Sequence, residues 1–297
     1  MLKAYSWLTF SIVMWGSNFI FGKILLMHFS PAWITMLRLL FIVLFLIGLA
    51  VYKKHLQPII HKQDLLAILF LGVVGVFINQ LSFFQGLVTA DPTASALVIA
   101  TAPIVTGVLA AIFLKEKLTL RMLFGSIIAI VGIFFVATKG TFSAVQIDKG
   151  LFWIVITMIT FSIMIILTRV LSKRMEALSI TLYSNIVGFV ISIPFAFILD
   201  RPLKITTDIS AWLFLMGTAI AVHGIATYVW NSNIRYVEAS KSSILSNLEP
   251  FVTMVVGFIL LAKPVTWIEI AGSFLIIGGV LLSTYTKSPQ KTVDENI

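Results

Sequence analysis

Apolar runs long enough to cross a bilayer follow one another along the whole chain, at residues 4–27, 32–52, 64–86, 92–114, 119–138, 149–172, 178–199, 210–232, 240–262 and 266–286. A hydrocarbon core about 30 Å thick is crossed by roughly 20 helical residues. The pattern therefore predicts an all-α integral membrane protein with ten transmembrane helices. Helix-breaking groups separate the runs, among them Ser30-Pro31, Asp91-Pro92, Lys139-Gly140, Asp200-Arg201-Pro202 and Lys263-Pro264. The first connector is the shortest, and Pro31, suited to the first turn of a helix, marks the start of the second run.

Composition excludes the main alternatives. Of 297 residues, 59% are hydrophobic and 11% charged, against about 25% charged in soluble domains, so most of the exterior must face something other than water. The absence of cysteine excludes a disulfide framework, thiol catalysis and cysteine-built metal sites. A net charge of +9 raises the question of nucleic acid. The basic residues, however, stand singly or in pairs between apolar runs, as topology-setting loop charges do. With both termini inside, twelve Lys and Arg residues fall in cytoplasmic loops and five in outer loops. The positive-inside rule then predicts cytoplasmic termini in a plasma or inner membrane. Only Lys3 precedes the first run, and no small-residue cleavage site follows it, so it reads as a retained span. Residues 287–297 read as a polar cytoplasmic tail.

A shift of 147 residues brings 93–136 into register with 240–283, with twelve identities in 44 ungapped positions. They include Ser95/Ser242, Pro103/Pro250, Thr106/Thr253, Gly125/Gly272, Ser126/Ser273 and Gly132/Gly279. Trp15 to Lys23 and Phe161 to Arg169 repeat an aromatic-to-base spacing, one residue off that register. Each half, 1–146 and 147–286, then holds five spans, and an odd number inverts the second half in the membrane. Inverted repeats are an architecture of secondary transporters, with the binding site near the midplane.

Trp15-Gly16-Ser17-Asn18-Phe19, then Pro103 followed by Leu114-Lys115-Glu116-Lys117-Leu118, and Asn247-Leu248-Glu249-Pro250 before a glycine-spaced last helix together resemble the drug/metabolite transporter superfamily. The chain is similar throughout to its EamA-type members, which have ten helices in two five-helix repeats. One departure stands out: the glutamate such repeats often carry near the end of their fourth helix is Glu116 in the first half and Lys263 in the second. The resemblance implies export or exchange of metabolites, amino acids among them, by alternating access, and no particular substrate.

Ionisable groups deep in a membrane are costly, which makes each a site candidate. Of twelve acidic residues, Glu249 alone lies well inside a span, roughly 14 Å from the start of its helix. On a regular helix it shares a face with Ser242, Ser246 and Thr253, and Asn247 and Pro250 flank it. That stripe faces a cavity or forms a seam between helices. Trp15 and Asn18 lie at mid-depth, away from the interfacial belt where tryptophan is ordinarily found. His223 and Thr227 share a face with Asn231; Asn79 and Gln80 repeat the argument more weakly. For His223, packing is the commoner role of a lone intramembrane histidine. Arg38 is either a structural partner or a fixed charge in a pore, while Lys23 and Arg169 sit near helix ends and are expected to snorkel. Pro103 and Pro250 are candidate hinges. Glu249 is expected in a cavity walled by the first, third, fourth, sixth, eighth and ninth helices.

No G-x-S-G, H-E-x-x-H or G-x-x-x-x-G-K-[ST] motif occurs, and no two acidic residues pair inside spans. The expectation is a secondary transporter without catalytic residues, metal or cofactor. A passive channel or a non-transporting scaffold or lipid-handling protein is the competing class. The expected partners are the bilayer and a small solute, with protons as a candidate coupling ion and no nucleic acid; homodimerisation is left open.

Overall fold

The computed structural model describes residues 2–54, 56–59, 61–90, 92–116, 119–138, 149–200, 203–261 and 266–284. The expected outer loop at 139–148, the break at Lys263-Pro264 and the tail at 287–297 lie outside them. Helices α1 (Leu2–Leu26), α2 (Pro31–Lys53) and α3 (Lys62–Thr89) come first, and α4 covers 92–114 as two pieces, Pro92–Ile99 and Ala102–Leu114. Then follow α5 (Leu120–Thr138), α6 (Lys149–Leu171) and α7 (Ala177–Leu199). Helix α8 covers 209–233, α9 covers 239–261, and α10 is Trp267–Thr284. Pro31 occupies the first turn of α2, whose other end closes where Lys54 turns left-handed at φ 50°.

Seven of these, α1, α2, α3, α6, α7, α8 and α9, are long and apolar enough to cross a membrane. The other apolar stretches are shorter: Ala102–Leu114, Leu120–Gly132 and Ile270–Leu282. Within α4 the reason is local. Pro103 has no N–H for the carbonyl of Ile99, and the helix gives way to a turn at Ala100 and Thr101. Helix α9 loosens in the same place relative to its own proline: Ser246–Leu248 is a 3-10 turn just before Glu249-Pro250. Both α3 and α8 carry a π-helical stretch, Leu71–Ile78 and Ala219–Ile225, whose last residues are 147 apart.

The polarity of the molecule is inverted relative to a soluble protein. Phe113, Phe152, Phe197, Phe258 and Phe274 are exposed, while Ser11, Thr35, Ser82, Ser184 and Ser243 are buried. Apolar atoms outside and hydroxyls inside suit a hydrocarbon solvent, where each buried polar group must find a partner within the protein. Ser184 Oγ donates to the Ile180 carbonyl at 2.7 Å and Ser243 Oγ to Thr106 Oγ1 at 3.0 Å.

Helices α5 and α10 pack antiparallel through small residues. A Cβ on Gly132 would lie 2.5 Å from the Gly272 carbonyl oxygen, and one on Gly279 would lie 2.5 Å from that of Gly125. Only glycine allows so close an approach of two backbones. Helices α4 and α9 also cross antiparallel: the first piece of each touches the second piece of the other. The two bases near helix ends turn inward instead of reaching for the interface. Lys23 Nζ donates to the Leu87 carbonyl at 2.7 Å, and Arg169 Nη1 donates to the Ile234 carbonyl at 3.0 Å. Each cation thus meets the negative end of a helix, and the two acceptors are again 147 apart.

Candidate functional site

The helix interruptions surround one buried space. Trp15, Asn18 and Phe19 of α1, Asn79, Gln80, Phe83 and Phe84 of α3, and Thr157, Phe161 and Met164 of α6 line it. Gly75 and Val76 of the α3 π stretch add to it, and Ile99, Asn185, His223, Thr227 and Glu249 complete the wall from α4, α7, α8 and α9. All six expected helices contribute, with α7 in addition. The cavity has a volume of about 80 Å³, where a single water needs about 10–15 Å³.

Glu249 starts the helix that follows the 3-10 turn and is 4% exposed. Among the described residues nothing hydrogen-bonds its carboxyl group. Gly16 brings α1 against it: a Cβ there would lie 2.9 Å from the Glu249 carbonyl oxygen and 2.8 Å from Val252 Cβ. Thr253 Oγ1 fastens the same contact, donating to the Gly16 carbonyl at 2.9 Å. The residue before Asn18 and Ser17 is therefore glycine because two backbones meet there.

Trp15 both packs between helices and lines the cavity. Its indole N–H donates to the Val222 carbonyl at 3.1 Å, and its ring meets Phe161 edge-on at 5.6 Å and Trp230 at 4.9 Å, while it also faces the cavity. Val222 lies in the π stretch of α8, as does His223; such stretches often occur at functional sites. Asn79 directs Nδ2 to the Thr157 carbonyl and to Thr160 Oγ1, both at 3.0 Å.

Arg38 is fully buried but does not line the cavity; it stands behind Asn18 and His223 and bonds to both. Of Ser242, Ser246, Glu249 and Thr253, Glu249 alone reaches the cavity. Ser242 and Ser246 bond the carbonyls of Ala239 and Ser243 instead, at 2.9 and 2.6 Å. Asn247 is fully buried outside the cavity, with both side-chain polar atoms unpartnered among the described residues. Pro103 and Pro250 each follow the break in their helix. Glu116 caps the start of α9, accepting the Ala239 N–H at 3.0 Å.

Sequence reasoning missed Asn185, which the mid-depth argument for Asn79 would have reached, and the phenylalanine walls. Phe83 and Phe84 carry no contrast against an apolar helix, so no sequence signal singles them out.

The family model described as "EamA-like transporter family" matches residues 2–138 and again residues 148–285. The chain belongs to the EamA-like transporter family. It is similar to the "Uncharacterized transporter YyaM" of Bacillus subtilis, 26% identical over 91% of this chain and 89% of the other. The "Probable terminal-alkyne amino-acid exporter" of Streptantibioticus cattleyicolor is 25% identical over 94% of this chain and 93% of its own length. One solved crystal structure shares the fold with a TM-score of 0.78 at 16% identity, covering 93% of this chain and 95% of the other. This EamA-family chain is thus a multi-pass membrane protein of a transporter family.

Proposed function

We propose that the chain is a secondary active carrier, an exporter or exchanger, that moves small amphipathic metabolites such as amino acids by alternating access. Its ten helices form two inverted five-helix repeats, 1–146 and 147–286, ahead of the tail at 287–297, with both termini cytoplasmic. The two matches to one family model support the repeats, as do three features spaced by 147 residues: the π stretches, the paired glycines of α5 and α10, and the carbonyls capped by Lys23 and Arg169. The antiparallel crossing of α4 and α9 is what a half-turn about an axis in the membrane plane requires.

The observation that carries the functional reading is the central cavity. Polar groups from both halves converge on it between aromatic walls, and Glu249 enters it without a partner among the described residues. Interfaces between repeats are where carriers of this architecture hold their solute. Glu249 then serves as the group that meets a cationic end of the solute, and the breaks before Pro103 and Pro250 are the points where α4 and α9 bend between orientations. The relative named as an amino-acid exporter supports the substrate class.

The test is counterflow in proteoliposomes. Purified protein is loaded with one solute of a metabolite panel and challenged with trace labelled solute outside. Transient accumulation above equilibrium is expected for a carrier. Downhill flux without accumulation would assign a channel, and absence of flux for every solute a scaffold.

A further inference from the structure

Three hydrogen bonds behind the cavity decide which atoms face into it. The Arg38 guanidinium can only donate. Its Nη2 reaches Asn18 Oδ1 at 3.2 Å and His223 Nδ1 at 2.8 Å, and Nη1 reaches Thr218 Oγ1 at 3.0 Å. Asn18 and His223 line the cavity. With Oδ1 and Nδ1 committed to Arg38, the polar atoms they have left are donors: the Nδ2 amide of Asn18 and the Nε2–H of the neutral His223 ring. Three other lining groups offer oxygens: Asn79 spends Nδ2 on Thr157 and Thr160 and keeps its carbonyl oxygen, Asn185 keeps its own, and Glu249 adds a carboxyl group. Gln80 and Thr227, also in the wall, can donate or accept.

The charge behind the donors is itself uncompensated. Among the described residues Arg38 has no acidic partner; the ion pairs found there are Arg174–Asp64 and Lys241–Glu238. Its Nε has no hydrogen-bond partner, and the Phe84 ring, 5.4 Å from Cζ, offers only a quadrupole. A buried cation without a counter-ion is expensive, and an anionic group held at Asn18 and His223 would offset it one layer away.

We propose that Asn18 and His223 form a subsite for an anionic group of the solute, a carboxylate above all, with Arg38 as the positioning residue that turns both donors toward it. The inference rests on the transporter reading and assigns one end of its solute. Two donors match the two oxygens of a carboxylate, while a cationic end is left to Glu249, Asn79 and Asn185. A solute that lacks the carboxylate leaves both donors and Arg38 without an acceptor from the solute in a buried site, a defect that ordinarily costs tenfold or more in affinity.

Matched probes isolate this term. The full-length protein is titrated with alanine against ethylamine and with leucine against isopentylamine, with binding read by thermal shift and by tryptophan fluorescence. The wild type is expected to bind each amino acid at least tenfold more tightly than its amine. Arg38→Lys keeps the charge but ends one bond short of the Nη2 position and loses the planar fork, so the ratio should fall toward one while amine binding persists. A purely structural role would lower both affinities together and leave the ratio unchanged. His223→Ala provides the same readout if the Arg38 variant does not fold. A wild-type ratio near one, no binding of either amino acid, or an unchanged ratio in the folded variants overturns the proposal. Counterflow of amines or neutral solutes alongside such a result would leave the transporter reading standing, whereas no counterflow of any solute would remove it.

Discussion

Adding one methyl group to the seam between α5 and α10 should destabilise the protein, and adding a second at the reciprocal position should cost less than the first. In Gly132→Ala the new Cβ would lie 2.5 Å from the Gly272 carbonyl oxygen and 2.7 Å from the Ile276 nitrogen. Both are backbone atoms that no rotamer change can move aside. Ordinary carbon contacts begin near about 3.5 Å, so the helices must part by about 1 Å, a gap that forfeits up to roughly half of the dispersion attraction across the seam. Overpacking of this kind costs about 1–3 kcal/mol. In Gly279→Ala the clash is with the Gly125 carbonyl and the Ala129 nitrogen, at 2.5 and 2.7 Å. The same parting of α5 and α10 relieves both clashes. The double variant should therefore lose clearly less than the sum of the single losses, in unfolding free energies measured in detergent micelles. Additivity within about 0.5 kcal/mol would refute the reciprocal seam, because independent sites add to that tolerance.

Gly16→Val pushes α1 off the Glu249 backbone, 2.9 Å from the new Cβ, and should cut transport at least tenfold with the protein still inserted; normal counterflow would mean that the contact is dispensable. A cysteine at Lys53 should be labelled only by reagents that reach the cytoplasm, and labelling from outside would overturn the orientation. At the start of α8, Ser210 donates its hydroxyl and its N–H to Asp208, at 2.8 and 2.9 Å, and holds that carboxyl below its ordinary 3.8. A depressed value in the folded state contributes stability that is complete above the unfolded value and is lost as pH falls through the folded one. The stability difference between the wild type and Asp208→Ala should thus be constant above about pH 5 and shrink below about pH 4; a difference that widens on acidification would contradict the cap.

The helices were legible because apolar run length and proline placement are local properties. The expected span at 178–199 is α7 to within a residue, and that at 149–172 is α6. Glu249 was legible for a related reason: a lone carboxyl at mid-depth has few places to go except a cavity. The helix around it was not. A spacing argument places side chains on a face but not their bonds: Ser242 and Ser246 turn back to the carbonyls of Ala239 and Ser243, and the 3-10 turn at Ser246–Leu248 leaves no periodic mark. The π stretch at Leu71–Ile78 is apolar on every side and leaves no periodic trace. Arg38 shows the remaining gap. Its depth was readable, but its partners Thr218 and His223 lie 180 and 185 residues away, and only the packing of α2 against α8 joins them.

Exchange by Glu249→Gln tests the central claim most directly. The substitution keeps the shape of the side chain and removes its capacity for charge in the cavity shared by the two halves. Protein purified from the membrane fraction, with its elution profile checked against wild type, is reconstituted and assayed for solute–solute exchange across a range of pH. Loss of exchange by at least tenfold at every pH, with insertion and folding retained, is the expected result. Exchange at the wild-type rate throughout that range would contradict the account.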